Sequence, residues 1–195
     1  MSSASRPGDE EARDRVPPGQ GVTKGFPVLH VGDVPTFDPE TWRLRVHGAV
    51  SSPHAFSWAE VRALPRVLRA ADMHCVTGWS RLDNRWEGVA LATLVEHCGV
   101  HSDARFVRFA DGGHYDTTVP LRAALDGGLL ADSHDGQALT PEHGGPLRAV
   151  VPALYAWKSC KWVREVEFLR EDRLGFWELR GYHNDADPWR EERLV

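Results

Sequence analysis

Apolar and polar residues alternate through Trp42-Arg43-Leu44-Arg45-Val46-His47-Gly48, which predicts a strand with one buried face. The same period of two over Ala104 to Ala110 and over Trp162 to Leu169 predicts two more strands. Arg66 to Met73 reads as a strand running into a loop around Cys75, and Tyr115 to Val119 as one ending at Pro120. Helical spacing is scarcer. Ser57 and Glu60 form a capping box for a short helix that Pro65 stops. Leu91, Leu94 and Val95 share a face over Ala90 to His97, with Gly99 placed to terminate that helix. Leu121 to Leu125 predicts a third short helix, closed by Gly127-Gly128.

Between these elements, Trp86-Glu87-Gly88-Val89 reads as a turn and Asp132 to Glu142 as a polar loop. His143 to Pro152 is a glycine-rich turn leading into a strand. Residues 1 to 22, rich in Ser, Pro, Gly and charge, are expected to form a disordered tail. The remaining chain, 23 to 195, is expected to be one domain. Short strands, short helices and many turns predict a single mixed α+β domain and argue against a doubly wound βαβ sheet.

Composition narrows the function classes. A net charge of -5 with no basic run gives no reason for nucleic-acid or anionic-membrane binding. No apolar stretch approaches the roughly 20 residues of a membrane span. The opening residues lack the apolar core of a secretory signal, so a cytoplasmic location is expected. Cys75, Cys98 and Cys160 are an odd set at wide spacings, which suits reduced thiols and not a disulfide framework. There is no CxxC, no GxGxxG opening a helix and no GxxxxGK[ST]. Structural zinc, dinucleotide and P-loop sites are therefore not expected.

Three clusters carry candidate chemistry. Cys75, within Met73-His74-Cys75-Val76-Thr77-Gly78-Trp79-Ser80, is a soft ligand suited to a soft or high-valent metal. An unpaired cysteine is also a common small packing residue. His143-Gly144-Gly145-Pro146-Leu147-Arg148 combines glycines, which let backbone N–H groups approach a ligand, with an arginine suited to phosphate. Lys158-Ser159-Cys160-Lys161 places two ammonium groups and a hydroxyl close together. Each cluster alone also reads as a turn or a solvated face. Together they suggest a bound, phosphate-bearing cofactor.

Four co-linear stretches carry a resemblance. They are His74-Cys75-Val76-x-Gly78-Trp79-Ser80, Tyr115-x-Thr117-Thr118-Val119-Pro120-Leu121, Gly144-Gly145-Pro146-Leu147-Arg148-x-Val150-Val151-Pro152 and Tyr155-x-Trp157-Lys158-Ser159-x-Lys161. Over about residues 25 to 170 the chain resembles the molybdopterin-binding domain of the sulfite oxidase family. The nearer likeness is to its small, haem-free bacterial branch, which includes the methionine sulfoxide reductase catalytic subunit. Phe26-Pro27-Val28-Leu29-His30 is similar to that family's N-terminal cofactor segment.

The resemblance implies a molybdenum–molybdopterin cofactor, with Cys75 as the protein ligand to the metal. It implies that His30, His143, Arg148, Ser159 and Lys161, with Lys158, hold the pterin and its phosphate. Tyr115 matches an active-site tyrosine. The implied activity is oxygen-atom transfer on a small substrate, with electrons exchanged with a separate donor or acceptor protein. Sulfite-oxidising members carry arginines where this chain has Val28, Trp79 and Ser80, which disfavours sulfite. Thr77 and His143 replace a glutamate and an asparagine of the methionine sulfoxide reductase branch. Two other readings stay open at this point: a hydrolase or transferase with Cys75 as nucleophile, and a non-catalytic pterin-binding module.

Overall fold

The computed structural model describes residues 14–195. Among them, two sheets pack with three short helices around a shared core, as the mixed α+β pattern predicts. One sheet has five strands in the order β3 (His54–Ser57), β2 (Arg43–Gly48), β11 (Glu165–Leu169), β6 (Phe106–Ala110) and β7 (Asp116–Pro120). The other has six. Its path runs β1 (Gly21–Val22), β5 (Trp79–Ala90), β8 (Leu129–His134) and β10 (Arg148–Val150). In that sheet β4 (Arg66–His74) also pairs with β5, and β9 (Gln137–Ala138) with β8.

The alternation in β2 turns Leu44 and Val46 inward, where they meet Val166 and Phe168 of β11, Phe109 of β6 and Val89 of β5 in one core. The helices close that core. Ser57 caps α1 (Trp58–Ala63) by accepting from the Glu60 amide, and the Glu60 side chain accepts from the Ser57 amide in return. Helix α2 (Leu91–Cys98) buries Leu91, Leu94 and Cys98 and ends at Gly99 with φ 62. There glycine avoids the steric cost that a side chain meets in the left-handed region. Helix α3 (Leu121–Leu125) buries Ala124.

Three expectations are corrected. Trp86 to Val89 is no turn but the inner part of β5, where Gly88 packs directly on the backbone of Leu130. Asp132 to Glu142 is no continuous loop. Its first residues complete β8 and a tight hairpin leads to β9, with Asp135 (φ 50) and Gly136 (φ 79) in the positive-φ pair such turns need. The tail expected over residues 1 to 22 does not hold for 14 to 22. Arg15 pairs with Asp72 at 2.6 Å, and Gly21 and Val22 add a strand beside Trp79 and Ser80. Residues 1 to 13 lie outside the described residues.

Candidate active site

Cys75 stands in the tight turn between β4 and β5. Its amide donates to the Trp79 carbonyl at 2.8 Å and its carbonyl accepts from the Gly78 amide at 2.9 Å. Gly78 has φ 95, a conformation that glycine adopts without strain. Two distant segments brace this turn. Gln20 Nε2 donates to the Cys75 carbonyl at 3.1 Å, and Arg193 Nη1 to the Val76 carbonyl at 2.6 Å. The Cys75 sulfur accepts from Thr77 Oγ1 at 3.1 Å, and the residue is 7% exposed.

His74 faces the other way, as strand geometry requires. Its Nδ1 lies 2.8 Å from Ser80 Oγ, burial lowers its pKa, and it lines a separate groove with Arg15, Leu68 and Trp189. The nucleophile reading therefore loses its nearest base.

Cys75 lines a cavity of about 370 Å³. Of the residues singled out in the sequence, Cys75, His30, Tyr115, Arg148, Ser159 and Lys161 line it together. Arg148 comes from β10 and is 2% exposed. Its guanidinium donates to the carbonyls of His143 at 2.9 Å and Ser159 at 3.3 Å, and no carboxylate pairs with it among the described residues. Burial pushes its pKa down to about 10. Lys161 Nζ donates to the Glu142 carbonyl at 2.5 Å; burial, followed by the nearby Arg148 charge, pushes its pKa down to about 7. Ser159 Oγ accepts from the Val151 amide at 3.0 Å, which leaves its own proton free to donate.

Tyr115 immediately precedes β7, and its hydroxyl donates to the Trp157 carbonyl. Burial raises the phenol pKa well above its ordinary value, so the group stays protonated. His30 Nδ1 lies 3.0 Å from the Gly32 carbonyl, with its ring edge-on to Trp162.

Two expected residues do not reach the cavity wall. Lys158 is fully buried and turned away, with its Nζ 2.7 Å from Glu178 Oε1 and 2.9 Å from the Thr118 carbonyl. His143 lies behind Phe26, stacked on its ring at 4.2 Å and bonded through Nε2 to the Phe26 carbonyl at 3.0 Å. It supports the wall without forming it. The glycines beside it also act otherwise than expected. The Gly144 and Gly145 amides donate to Pro141 and Thr140, and a Cβ on Gly145 would lie 2.4 Å from the Leu139 carbonyl oxygen. They permit close packing of the turn and offer no free N–H to a ligand.

Arg81 turns away as well, to Asp135 at 2.7 Å and to Asn84. Trp79 does line the cavity, and its Nε1 is buried with no partner among the described residues. Periodicity gave no signal for several other wall residues. Phe26 and Leu29 come from the irregular segment before β2, and Trp157, Trp162, Trp177 and Tyr182 from loops and single turns.

A family model described as the oxidoreductase molybdopterin binding domain matches residues 31–177, most of the chain. The chain belongs to that family. It is 49% identical to the uncharacterized oxidoreductase YuiH of Bacillus subtilis, over 93% of this chain and 92% of that protein. It is 32% identical to a putative protein-methionine-sulfoxide reductase subunit, YedZ1, of Azospira oryzae, over 85% of this chain and 64% of that one. Sulfite oxidase of Arabidopsis thaliana is 26% identical over 77% of this chain and 48% of its own length. The crystal structure of the sulfane dehydrogenase SoxCD from Paracoccus pantotrophus shares the fold, with a TM-score of 0.62 at 22% identity over 71% of this chain and 40% of that one.

The chain is thus a molybdopterin-dependent oxidoreductase of the sulfite oxidase-like type, and its cofactor is molybdenum–molybdopterin. The cavity fits such a group. It offers one thiol for a metal, a buried guanidinium that no carboxylate pairs among the described residues, an ammonium group, and an indole N–H without a partner among them. No helix among the described residues is long and apolar enough to cross a membrane.

Proposed function

We propose that this cavity holds the cofactor with Cys75 as the protein ligand to molybdenum, and that the protein transfers an oxygen atom to or from a small substrate. The observation that carries the reading is that Cys75, Arg148, Ser159 and Lys161 line one cavity. Arg148 and Lys161 supply positive charge to the pterin phosphate and Ser159 a hydroxyl donor. His30 and Trp162 form the wall beside them, and His143 keeps Phe26 in place. When bound, the cofactor supplies the two-electron redox chemistry of oxygen-atom transfer.

The protein's own share is orientation and proton control. Thr77 steadies the sulfur through its hydroxyl, and the two braces hold the turn that carries it. Tyr115 is kept protonated at the cavity wall. Its one proton is committed to the Trp157 carbonyl, so donation to a substrate oxygen requires that bond to be exchanged. In the reductive direction an oxide takes up two electrons and two protons and leaves as the deoxygenated product and water.

Sulfite is disfavoured because Arg148 and Lys161 are the sole lysine or arginine on the described wall, and both are assigned to the cofactor. Electrons pass to or from a separate protein. A cytoplasmic location belongs to the same proposal, supported by three free, buried cysteines.

The test is elemental analysis of the protein and of Cys75→Ser, both produced in a host that makes molybdopterin. Near-stoichiometric molybdenum in the parent, with loss of the thiolate-to-metal absorption in the variant, is the expected result. A parent without molybdenum or pterin refutes the reading.

A further inference from the structure

The closing segment, from Gly175 onward, places Trp177 and Tyr182 on the wall of the Cys75 cavity. Their ring centroids lie 4.7 Å apart, Tyr182 meets Trp157 edge-on at 5.1 Å, and Val76 packs into the same cluster. The segment has little regular structure of its own. It contains the single turns Glu178–Arg180 and Pro188–Arg190 and the isolated bridge between Tyr182 and Leu194.

Glu178 fastens it. This buried carboxylate accepts from Lys158 Nζ at 2.7 Å, Trp157 Nε1 at 3.0 Å and Thr117 Oγ1 at 3.3 Å. Gly175 makes the approach possible, since a Cβ there would lie 2.5 Å from the Asp116 carbonyl oxygen and 2.8 Å from Glu178 Oε2. A buried ion pair adds little stability over two well-packed apolar residues, so it is weak as a simple source of binding energy. It does impose one arrangement. Trp177 directly precedes Glu178 and Ser159 directly follows Lys158, and both line the cavity. The pair therefore ties the aromatic wall to the loop that carries Ser159 and Lys161. The closing segment contributes no charged side chain to that wall.

We infer that Trp177 and Tyr182 select the substrate, favouring small uncharged molecules with an apolar or aryl group to lie against the rings. The Lys158–Glu178 pair positions them. The inference rests on the oxygen-transfer reading only for what happens to the selected molecule; the wall and its fastening do not depend on it.

Hydrogen exchange of residues 175–195 in the cofactor-loaded protein tests the fastening. Glu178→Gln and Lys158→Met are each expected to speed exchange there about tenfold or more, through local opening. The double variant Lys158→Met with Glu178→Gln, which leaves neither charge unpaired and keeps an acceptor for Trp157 Nε1 and Thr117 Oγ1, is expected to restore protection. Unchanged exchange in the single variants, or a double variant as exposed as they are, overturns the assignment.

Selection is read as the ratio of kcat/KM for methyl phenyl sulfoxide to that for dimethyl sulfoxide, with a reduced viologen dye as electron donor. Trp177→Ala and Tyr182→Ala are expected to lower the ratio about tenfold, carried by KM, with molybdenum content unchanged. Equal loss on both oxides refutes selection by the wall. If the parent reduces neither oxide, the oxygen-transfer reading fails separately. Calorimetry of methyl phenyl sulfoxide binding then decides the inference: about tenfold weaker binding to Trp177→Ala supports it, and no binding to the parent or an unchanged Kd overturns it.

Discussion

Gly88 passes so close to Leu130 that a Cβ built on it would lie 2.0 Å from the Leu130 carbonyl oxygen. The contact sits where the pairing of β5 with β8 shifts register, between Glu87 and Gly88. Gly88→Ala must therefore push two paired backbones apart. An equilibrium urea titration is expected to show a loss of about 3 kcal/mol, at the upper end for overpacking. Gly136→Ala is the control. Its Cβ meets nothing within 4 Å at φ 79, so only the strain of the left-handed region is felt, about 1–2 kcal/mol.

Arg148→Met separates the demands of the fold from those of the cofactor. Removing a buried charge relieves desolvation, which offsets the hydrogen bonds to His143 and Ser159. Stability of the cofactor-free protein is expected to change by no more than about 1 kcal/mol in a thermal or urea melt. Molybdenum retained after gel filtration is expected to fall about tenfold, because the anion then has no guanidinium to meet.

Tyr115→Phe removes the hydroxyl bonded to the Trp157 carbonyl and leaves the ring against Phe176. If the phenol donates to the transferring oxygen, kcat falls by about 100-fold while KM and molybdenum content hold. A variant with parental kcat would assign Tyr115 to packing alone.

His134 makes stability depend on pH. Burial, reinforced by the charges of Arg81 and Arg148 against that of Asp135, pushes its pKa down to about 4. Above about pH 6.5 the imidazole is neutral in both folded and unfolded chains and contributes no slope. Between about 6.5 and 4 the unfolded chain binds a proton that the folded one refuses, so stability falls as pH falls. Urea midpoints of the parent are expected to decline across that window more steeply than those of His134→Asn. Parallel curves would show that other groups set the acid sensitivity.

Local patterns were legible wherever one residue's neighbours in sequence decide its conformation. The period of two in β2, the Ser57–Glu60 cap and the left-handed Gly99 all act over a few residues, and each stands where the pattern puts it. The β8–β9 hairpin is obscured because Asp135-Gly136, a strong turn signal, sits inside a mostly polar run. The inward turn of Lys158 has a tertiary cause. A lysine beside a serine in an anion-binding motif looks like a ligand contact, and only Glu178, twenty residues on, shows that it turns inward. Trp177 and Tyr182 escaped for the same reason, since no periodicity marks a wall assembled from an irregular segment.

The brace from Arg193 to the Val76 carbonyl spans 117 residues. A ribosome delivers Cys75 and its turn long before it delivers the arginine that steadies them. The nascent chain therefore carries the thiol on a half-supported turn until Arg193 has emerged. A product that stops short of Arg193 keeps only the Gln20 brace on that turn.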